Sequence, residues 1–546
     1  MEILKKILPL PIKKMARKIL EINLYFFNLS SKYLFPHGYN RVTGKVLISI
    51  FGSCRQDSIK KHFKVSRIRD GLTYPHYTKE IIQAIKYVKS RGEISPKNFL
   101  VFRNIIINKK VDPIRSLWKQ FNKTDLFIVE ISSRISYEYD GDYYHHALIE
   151  NRDRIQAQIS ELGLIKRIQS DDEIREDMLE IKKLLAPKPV IFVTHFCTFD
   201  TGERANLRDL VVSEASKIHS RVFDPSELLK NYPIAKLTIK EEVINHFSEF
   251  AHEVLAGRYQ LAILEEIRLS KKNHNSIYLD QVIDSTLVRK KSVGFHGFGD
   301  HGFGSIFLYR YAISNGRVPR VNKQKFDAQK YLINSNQCVP IDHNDITYVF
   351  HNEVRNKKLK NVSNIYTNKK PVNKWDNQMR DFFLTNLLTP NELLDKELSR
   401  IKSELSLDKD YSTIHIRFGD DICKNNGLTN IEIERKLLIY LEDLTKSFNP
   451  EDGYLVLSDS QFFNASSRSR GFKAREGGVS NRGLSGIEDD HGYLTIVDFI
   501  LMLGSKSINQ ISYASRGSRF SELASYVADV KLFYNSELSQ KIRDIK

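Results

Sequence analysis

Cysteine is scarce in this chain: Cys54, Cys197, Cys338 and Cys423 are the only four in 546 residues. No pair stands at the spacing of metal ligands, so a structural zinc site is not expected and the set reads as reduced, intracellular thiols. Long apolar runs are also missing, and none approaches the ~18–20 residues that cross a bilayer. The sequence has no internal repeat. It also lacks any Cys/His finger, basic-zipper or RNA-binding signature, so nucleic acid is not an expected partner.

What is present is an ordinary globular balance, 41% hydrophobic and 27% charged, with enough apolar mass for several cores. The length suggests about three folding units. A formal charge of +18 attracts polyanions: acidic lipid, phosphate-bearing substrates or anionic polymers. In residues 1–44, Lys5, Lys6, Lys13, Lys14, Arg17 and Lys18 alternate with Ile12, Met15, Ile19 and Ile22 at helical spacing. Residues 1–30 are therefore expected either to lie on an anionic membrane surface or to form an ordinary packing helix. Lys and Pro interrupt the apolar stretch, so no cleavable signal is expected. The implied location is cytoplasmic, peripheral at the inner face of the membrane.

Continuous apolar runs at 46–51, 126–131 and 189–194 alternate with helical patterns around 78–91 and 149–185. Such alternation predicts a parallel sheet covered on both faces, here an α/β domain over 45–255. Residues 256–290 read as a linker helix. Strand candidates at 411–416, 453–457 and 507–512, with helices at 430–447, 494–503 and 519–530, place two Rossmann-type lobes at 291–405 and 406–546. The predicted fold class is α/β throughout. Residues 464–492, rich in Ser, Arg, Gly and Asp, read as a long loop.

HIRFGD (415–420) ends a strand and turns through Gly419. Ligands collect at the carboxyl ends of parallel strands. There Arg417 offers a rigid fork for phosphate, Gly419 allows close backbone approach, and Asp420 holds the Arg or binds a sugar hydroxyl. HGFGDHGFGSIF places Gly297 and Gly299 in a Gly-rich loop before a helix. Asp459 follows another strand end, as a nucleoside contact or an Asx turn. Asp498 sits in an apolar helix, where a carboxylate needs a partner, and Arg417 is the expected one. Ser518 stands at a loop-to-helix junction, as a phosphate cap or a plain N-cap.

This order of HxRxGD, a strand ending SD, TIVDFILM and S-x-F-S-x-L-A resembles the α-1,2/α-1,6/protein-O fucosyltransferase superfamily over roughly 291–546. The resemblance implies a GT-B fold, no metal and no cofactor, with GDP-fucose or another nucleotide sugar as donor. It implies that Arg417 binds the β-phosphate, Asp498 orients Arg417, Ser518 touches the diphosphate, Asp459 lies near the nucleoside and His415 sits at the donor site. Phe418 stands where the family carries a second basic residue.

FGSCRQDS (51–58) puts Ser53 and Cys54 on a strand-to-helix turn, where a nucleophile is held outward beside helix amides. The block resembles that of SGNH/GDSL-type esterases and of capsule-biosynthesis relatives with Gly-x-Cys. That register implies Cys54 as nucleophile, His246 as the late histidine with Val243 at the acid position, and Ser132 and Ser133 near an oxyanion contributor. His195 competes with His246. The combined expectation is a fucosyl transfer to a glycan or lipid-linked acceptor in surface polysaccharide synthesis, fused to an SGNH-like esterase or acyltransferase domain. The alternatives are an acyl esterase whose second half only binds substrate, and a non-enzymatic polyanion-binding protein.

Overall fold

The computed structural model describes residues 46–150, 163–197, 201–240, 243–270, 278–284, 298–314, 317–325, 332, 346–349, 364–367, 375–407, 410–418, 430–475, 491–513 and 518–544. The basic segment, Gly297, Gly419 and Asp420 lie outside them. Among the described residues no helix is long and apolar enough to cross a membrane. The chain divides into two compact units, Met1–Lys272 and Asn273–Lys546.

The first unit is built on strands β1 (Leu47–Phe51), β2 (Lys64–Val65), β3 (Leu126–Ile131), β4 (Val190–Thr194) and β5 (Arg221–Phe223). They pair in parallel in the order β2-β1-β3-β4-β5. Every residue of β3 and β4 is buried, as continuous apolar strands require when both faces are covered. Helix α1 (Thr78–Lys89) contributes Ile81, Ile85 and Val88 at helical spacing. Helix α2 (Asp171–Leu185) opens on a capping box of Ser170 and Glu173. Helix α3 (Glu203–Lys217) follows β4, and helix α4 (Glu249–Ser270) closes the unit.

Helix α4 corrects the sequence reading of a linker at 256–290. Ala251, Val254, Leu255, Ile263 and Ile267 are buried, and the Tyr259 hydroxyl donates to Gln56 on the 3-10 helix Cys54–Lys61. A helix that hydrophobic on several sides packs into a core and does not bridge two.

The second unit holds two parallel sheets. Strands β6 (Tyr278–Asp284), β7 (Val318–Lys325), β8 (Ile346–Val349) and β9 (Asn364–Thr367) run in the order β7-β6-β9-β8. Strands β10 (Thr413–Arg417), β11 (Leu455–Ser458), β12 (Lys473–Ala474), β13 (Ser507–Ser512) and β14 (Lys531–Tyr534) run β12-β11-β10-β13-β14. These are the two Rossmann-type lobes, the first beginning within the stretch read as linker. Helices α5 (Phe298–Ser314), α6 (Asn377–Leu387), α7 (Asn430–Ser447), α8 (His491–Leu503) and α9 (Arg519–Ala528) complete them.

Gly299 therefore lies in the first turn of α5, not in a loop. The glycine whose size matters most here is Gly302, on the same helix. A Cβ there would collide with Leu523 of α9 and sit 2.8 Å from the Phe383 ring of α6, so only glycine allows these helices to meet. The stretch read as a long loop at 464–492 instead begins within helix Gln461–Ser469 and continues into strand β12.

Candidate functional site

In the second lobe the sheet starts at β10 and grows to both sides, so its order reverses between β10 and β13. Open α/β sheets bind ligands at the carboxyl ends of the strands beside such a point. Arg417 ends β10 opposite Ser512, which ends β13. Successive side chains alternate faces. Ile414, Ile416 and Phe418 enter one core, while His415 and Arg417 share the other face.

That second face is covered by α9. His415 is buried, and its Nδ1 lies 2.6 Å from Ser521 Oγ. Gln510 Nε2 donates to Ser521 Oγ at 3.1 Å and to the Ser518 carbonyl at 2.6 Å. With Gln510 donating to it, the Ser521 hydroxyl is free to donate to His415. Burial first, then the Arg417 charge, depresses the His415 pKa to about 3, so the ring is neutral at ordinary pH. His415 thus ties the start of α9 to β10. Ser518 is the N-cap of α9, its hydroxyl accepting from the Phe520 amide. The Arg417 guanidinium is half-buried at the strand end. Among the described residues no carboxylate pairs with it.

Asp459 follows β11 and accepts the Phe418 amide at 3.0 Å, which fixes the backbone directly after Arg417. Phe418 itself is fully buried, packed edge-on against Phe463 and Tyr440 at 5.0 and 5.6 Å between ring centres. The strand's alternation directs this side chain into the core, so no second cation stands beside Arg417 there.

The expected Asp498–Arg417 pair is not formed. Asp498 on α8 is buried and takes a two-pronged ion pair from Arg475, at 2.5 and 2.9 Å. Arg475 follows edge strand β12, two strands from β10, or about 10 Å away at the usual strand spacing. The buried carboxylate required a partner, but local sequence gave no sign of which cation the edge strand would bring.

The first unit gathers a second constellation at the carboxyl ends of β1, β3 and β4. Ser53 donates its hydroxyl and its amide to Glu130, both at 2.7 Å. Arg55 Nε reaches Ser53 Oγ at 3.1 Å and Glu130 Oε1 at 3.2 Å. The Ser53 carbonyl accepts from Arg69 at 2.7 Å. Burial alone would raise the Glu130 carboxyl, but Arg55 and the two Ser53 donors hold it below its ordinary range. A Cβ at Gly52 would fall 2.6 Å from Glu130 Cβ, so the motif's glycine makes room for this carboxylate. Sequence reasoning missed Glu130, although an acid inside LFIVEI is a signal that a buried charge has partners.

Ser53, whose hydroxyl donates to Glu130 and accepts from the Arg55 amide and Nε, is a structural cap. Cys54 beside it is an exposed free thiol. His246 lies on strand Val243–Phe247, not at a helix start; it is exposed, and no hydrogen bond joins it to Ser53 or Cys54. The Ser132 and Ser133 amides both donate to the His76 carbonyl, at 2.9 and 3.0 Å, and so are not open to an oxyanion. His195 follows β4 and is buried, and among the described residues neither ring nitrogen has a partner. Its pKa falls to about 3, through burial first and then the Arg55 charge.

His76, His145 and His146 bring nitrogens within 4.8 Å of one another. His145 is spoken for at both: Nδ1 accepts the Ala147 amide at 3.0 Å and Nε2 donates to the Tyr74 carbonyl at 2.9 Å. The trio therefore does not supply three free lone pairs for an ion.

A family model described as "TviD N-terminal domain" matches residues 152–259. No curated protein matches this chain. Among solved structures, an Arabidopsis thaliana FUT1 mutant in complex with GDP is similar at 11% identity and a TM-score of 0.33, covering 56% of this chain and 84% of that one. A NodZ α-1,6-fucosyltransferase co-crystallised with GDP aligns at 11% identity and 0.29, over 46% and 91%. NodZ from Bradyrhizobium aligns at 11% and 0.30, over 48% and 96%. Likeness at these scores does not extend to activity.

Proposed function

We propose that the second unit is a glycosyltransferase that moves fucose from GDP-fucose to a glycan or lipid-linked hydroxyl. The observation that carries this reading is Arg417: a guanidinium without a described carboxylate partner, at the carboxyl end of β10, beside the strand-order reversal and on the face covered by α9. The Ser518-capped start of α9 adds backbone amides and a positive helix end nearby. In the transfer, the acceptor oxygen bonds to sugar C1 as the bond from C1 to the β-phosphate oxygen breaks. GDP departs with that electron pair, and the acceptor proton passes to a base or solvent. Arg417 neutralises the charge growing on the diphosphate, the step that a preorganised donor accelerates. Gly419 and Asp420, the next residues of HIRFGD, are assigned to the donor side, and Asp459 to holding the backbone at Phe418. The test is GDP release from GDP-fucose by the full chain. Arg417→Ala should lower turnover about 100- to 1000-fold with the fold intact. Arg417→Lys should restore little of it, because a point charge does not replace the fork. An unaffected Arg417→Ala enzyme refutes the assignment.

The first unit we read as an ester-cleaving or acyl-transferring domain of SGNH type, favoured by the exposed Cys54 thiol on the turn after β1. Cys54→Ala should abolish cleavage of an acetyl ester, whereas loss with His246→Ala and not with His195→Ala would name the base. Basic residues 1–30 are proposed to hold the protein at an anionic membrane. Vesicle co-sedimentation unchanged by their deletion would exclude that.

A further inference from the structure

The edge that carries Cys54 has a feature that cleavage of a neutral ester does not use. Strand register sets the geometry. Phe51 pairs with Val129 and Ile131 with Thr194, which brings Gly52 level with Glu130 and His195 level with Ser132. Arg55 commits only Nε to Glu130 and Ser53; among the described residues its two terminal nitrogens have no partner. His195 is 4% exposed, and among the described residues both its ring nitrogens are unpaired. Buried polar groups are paired in folded proteins, and an orphaned one is costly unless a ligand or water completes it. Helix α3, fifteen residues long, begins shortly after His195 in the same strand-to-helix connection, and its N-cap is Gly202, which supplies no side-chain cap to the first-turn amides.

We propose that this edge binds an anionic group of the first unit's substrate, a carboxylate or a phosphate ester, through the terminal nitrogens of Arg55 and a ring N–H of His195. The charge distribution agrees. Arg55 and Arg204 both act on His195, opposed there by Glu130, and Arg55 and Arg103 act on His76. The start of α3 adds a helix N-terminus favourable to anions. A planar carboxylate or a phosphate fits the two-pronged end of a guanidinium. The inference needs no particular chemistry at Cys54, so the acyl-transfer reading can fail while this one holds.

The neighbouring thiol provides the readout. The full chain is alkylated with iodoacetamide and the rate at Cys54 is followed by peptide mass spectrometry, with added N-acetylcysteine as internal reference. Inorganic phosphate, glucuronate and glucose are titrated in separate arms. Phosphate or glucuronate should slow Cys54 alkylation at saturation and leave the added thiol unchanged, while glucose should slow neither. Protection by phosphate alone identifies a phosphate ester, and by glucuronate alone a carboxylate. Arg55→Gln should weaken the protecting anion about ten- to hundred-fold, the range of a lost charged hydrogen bond. His195→Phe, which keeps Arg55 paired with Glu130 and so guards against a misfolded Arg55 variant, should weaken it about ten-fold. The proposal is overturned if neither anion protects, if glucose protects equally, or if protection survives in His195→Phe at full strength.

Discussion

Replacing Asp498 by Ala tests which cation the buried carboxylate serves. Arg475 is 3% exposed in its side chain and Asp498 5%, so the variant removes the guanidinium's paired carboxylate where water does not reach it. Breaking one partner of a buried ion pair costs about 3–5 kcal/mol, far above the ~1 kcal/mol typical of a random substitution. Arg475→Ala should cost a similar amount, and the double variant much less than the sum. Unfolding of the full chain is followed by denaturant titration, with hydrogen exchange across α8 reporting the unit concerned. The Asp498–Arg475 cycle should return a coupling of about 2 kcal/mol or more, whereas Asp498 and Arg417 should be additive within ~0.5 kcal/mol. A coupling to Arg417 larger than that to Arg475 would sink the pairing described above and return Asp498 to the donor site.

Ser53→Ala should destabilise the first unit by about 1–3 kcal/mol, because it leaves Glu130 short of a donor; Cys54→Ala, at an exposed position, should stay within ~0.5 kcal/mol in the same melt. Gly302→Ala should cost about 1–3 kcal/mol by overpacking α5 against α9, and Leu523→Ala in the same chain should recover part of it, read as a shift in denaturation midpoint. His415 is depressed from 6.5 to about 3, so the unfolded chain binds the extra proton between those values. Its contribution is present above pH ~6.5 and is lost as pH falls toward 3, with a slope approaching about 1.4 kcal/mol per pH unit. His415→Gln should flatten that part of the stability–pH curve, and an unchanged slope would show that the ring titrates normally.

Much of the fold is legible in residue order. VLISIF, LFIVEI and PVIFVT announce buried parallel strands because they are apolar at consecutive positions, and they fall at β1, β3 and β4 within a residue or so. Helix 430–447 matches to its ends. Less legible was the length of the first unit: the pattern of α4 fits a linker helix until its contact with the 3-10 helix of Cys54 is known. The glycines around 299–304 look like an anion loop because composition does not reveal that they lie in a helix, which needs Gly302 to pass Leu523.

Residue order also fixed where charged groups needed explanation: Asp498 within LTIVDFILML and Arg417 at the end of a strand. Burial follows from the neighbours along the chain, and a buried charge must be met by something. The identity of the partner is a different matter. Arg475 reaches Asp498, Glu130 holds Ser53 and Arg55, and His415 reaches Ser521 across separations of 23, 77, 75 and 106 positions. Those meetings depend on strand order and on which sheet face each crossover helix covers. Only the assembled sheet sets them, because a parallel strand's neighbours come from distant parts of the chain.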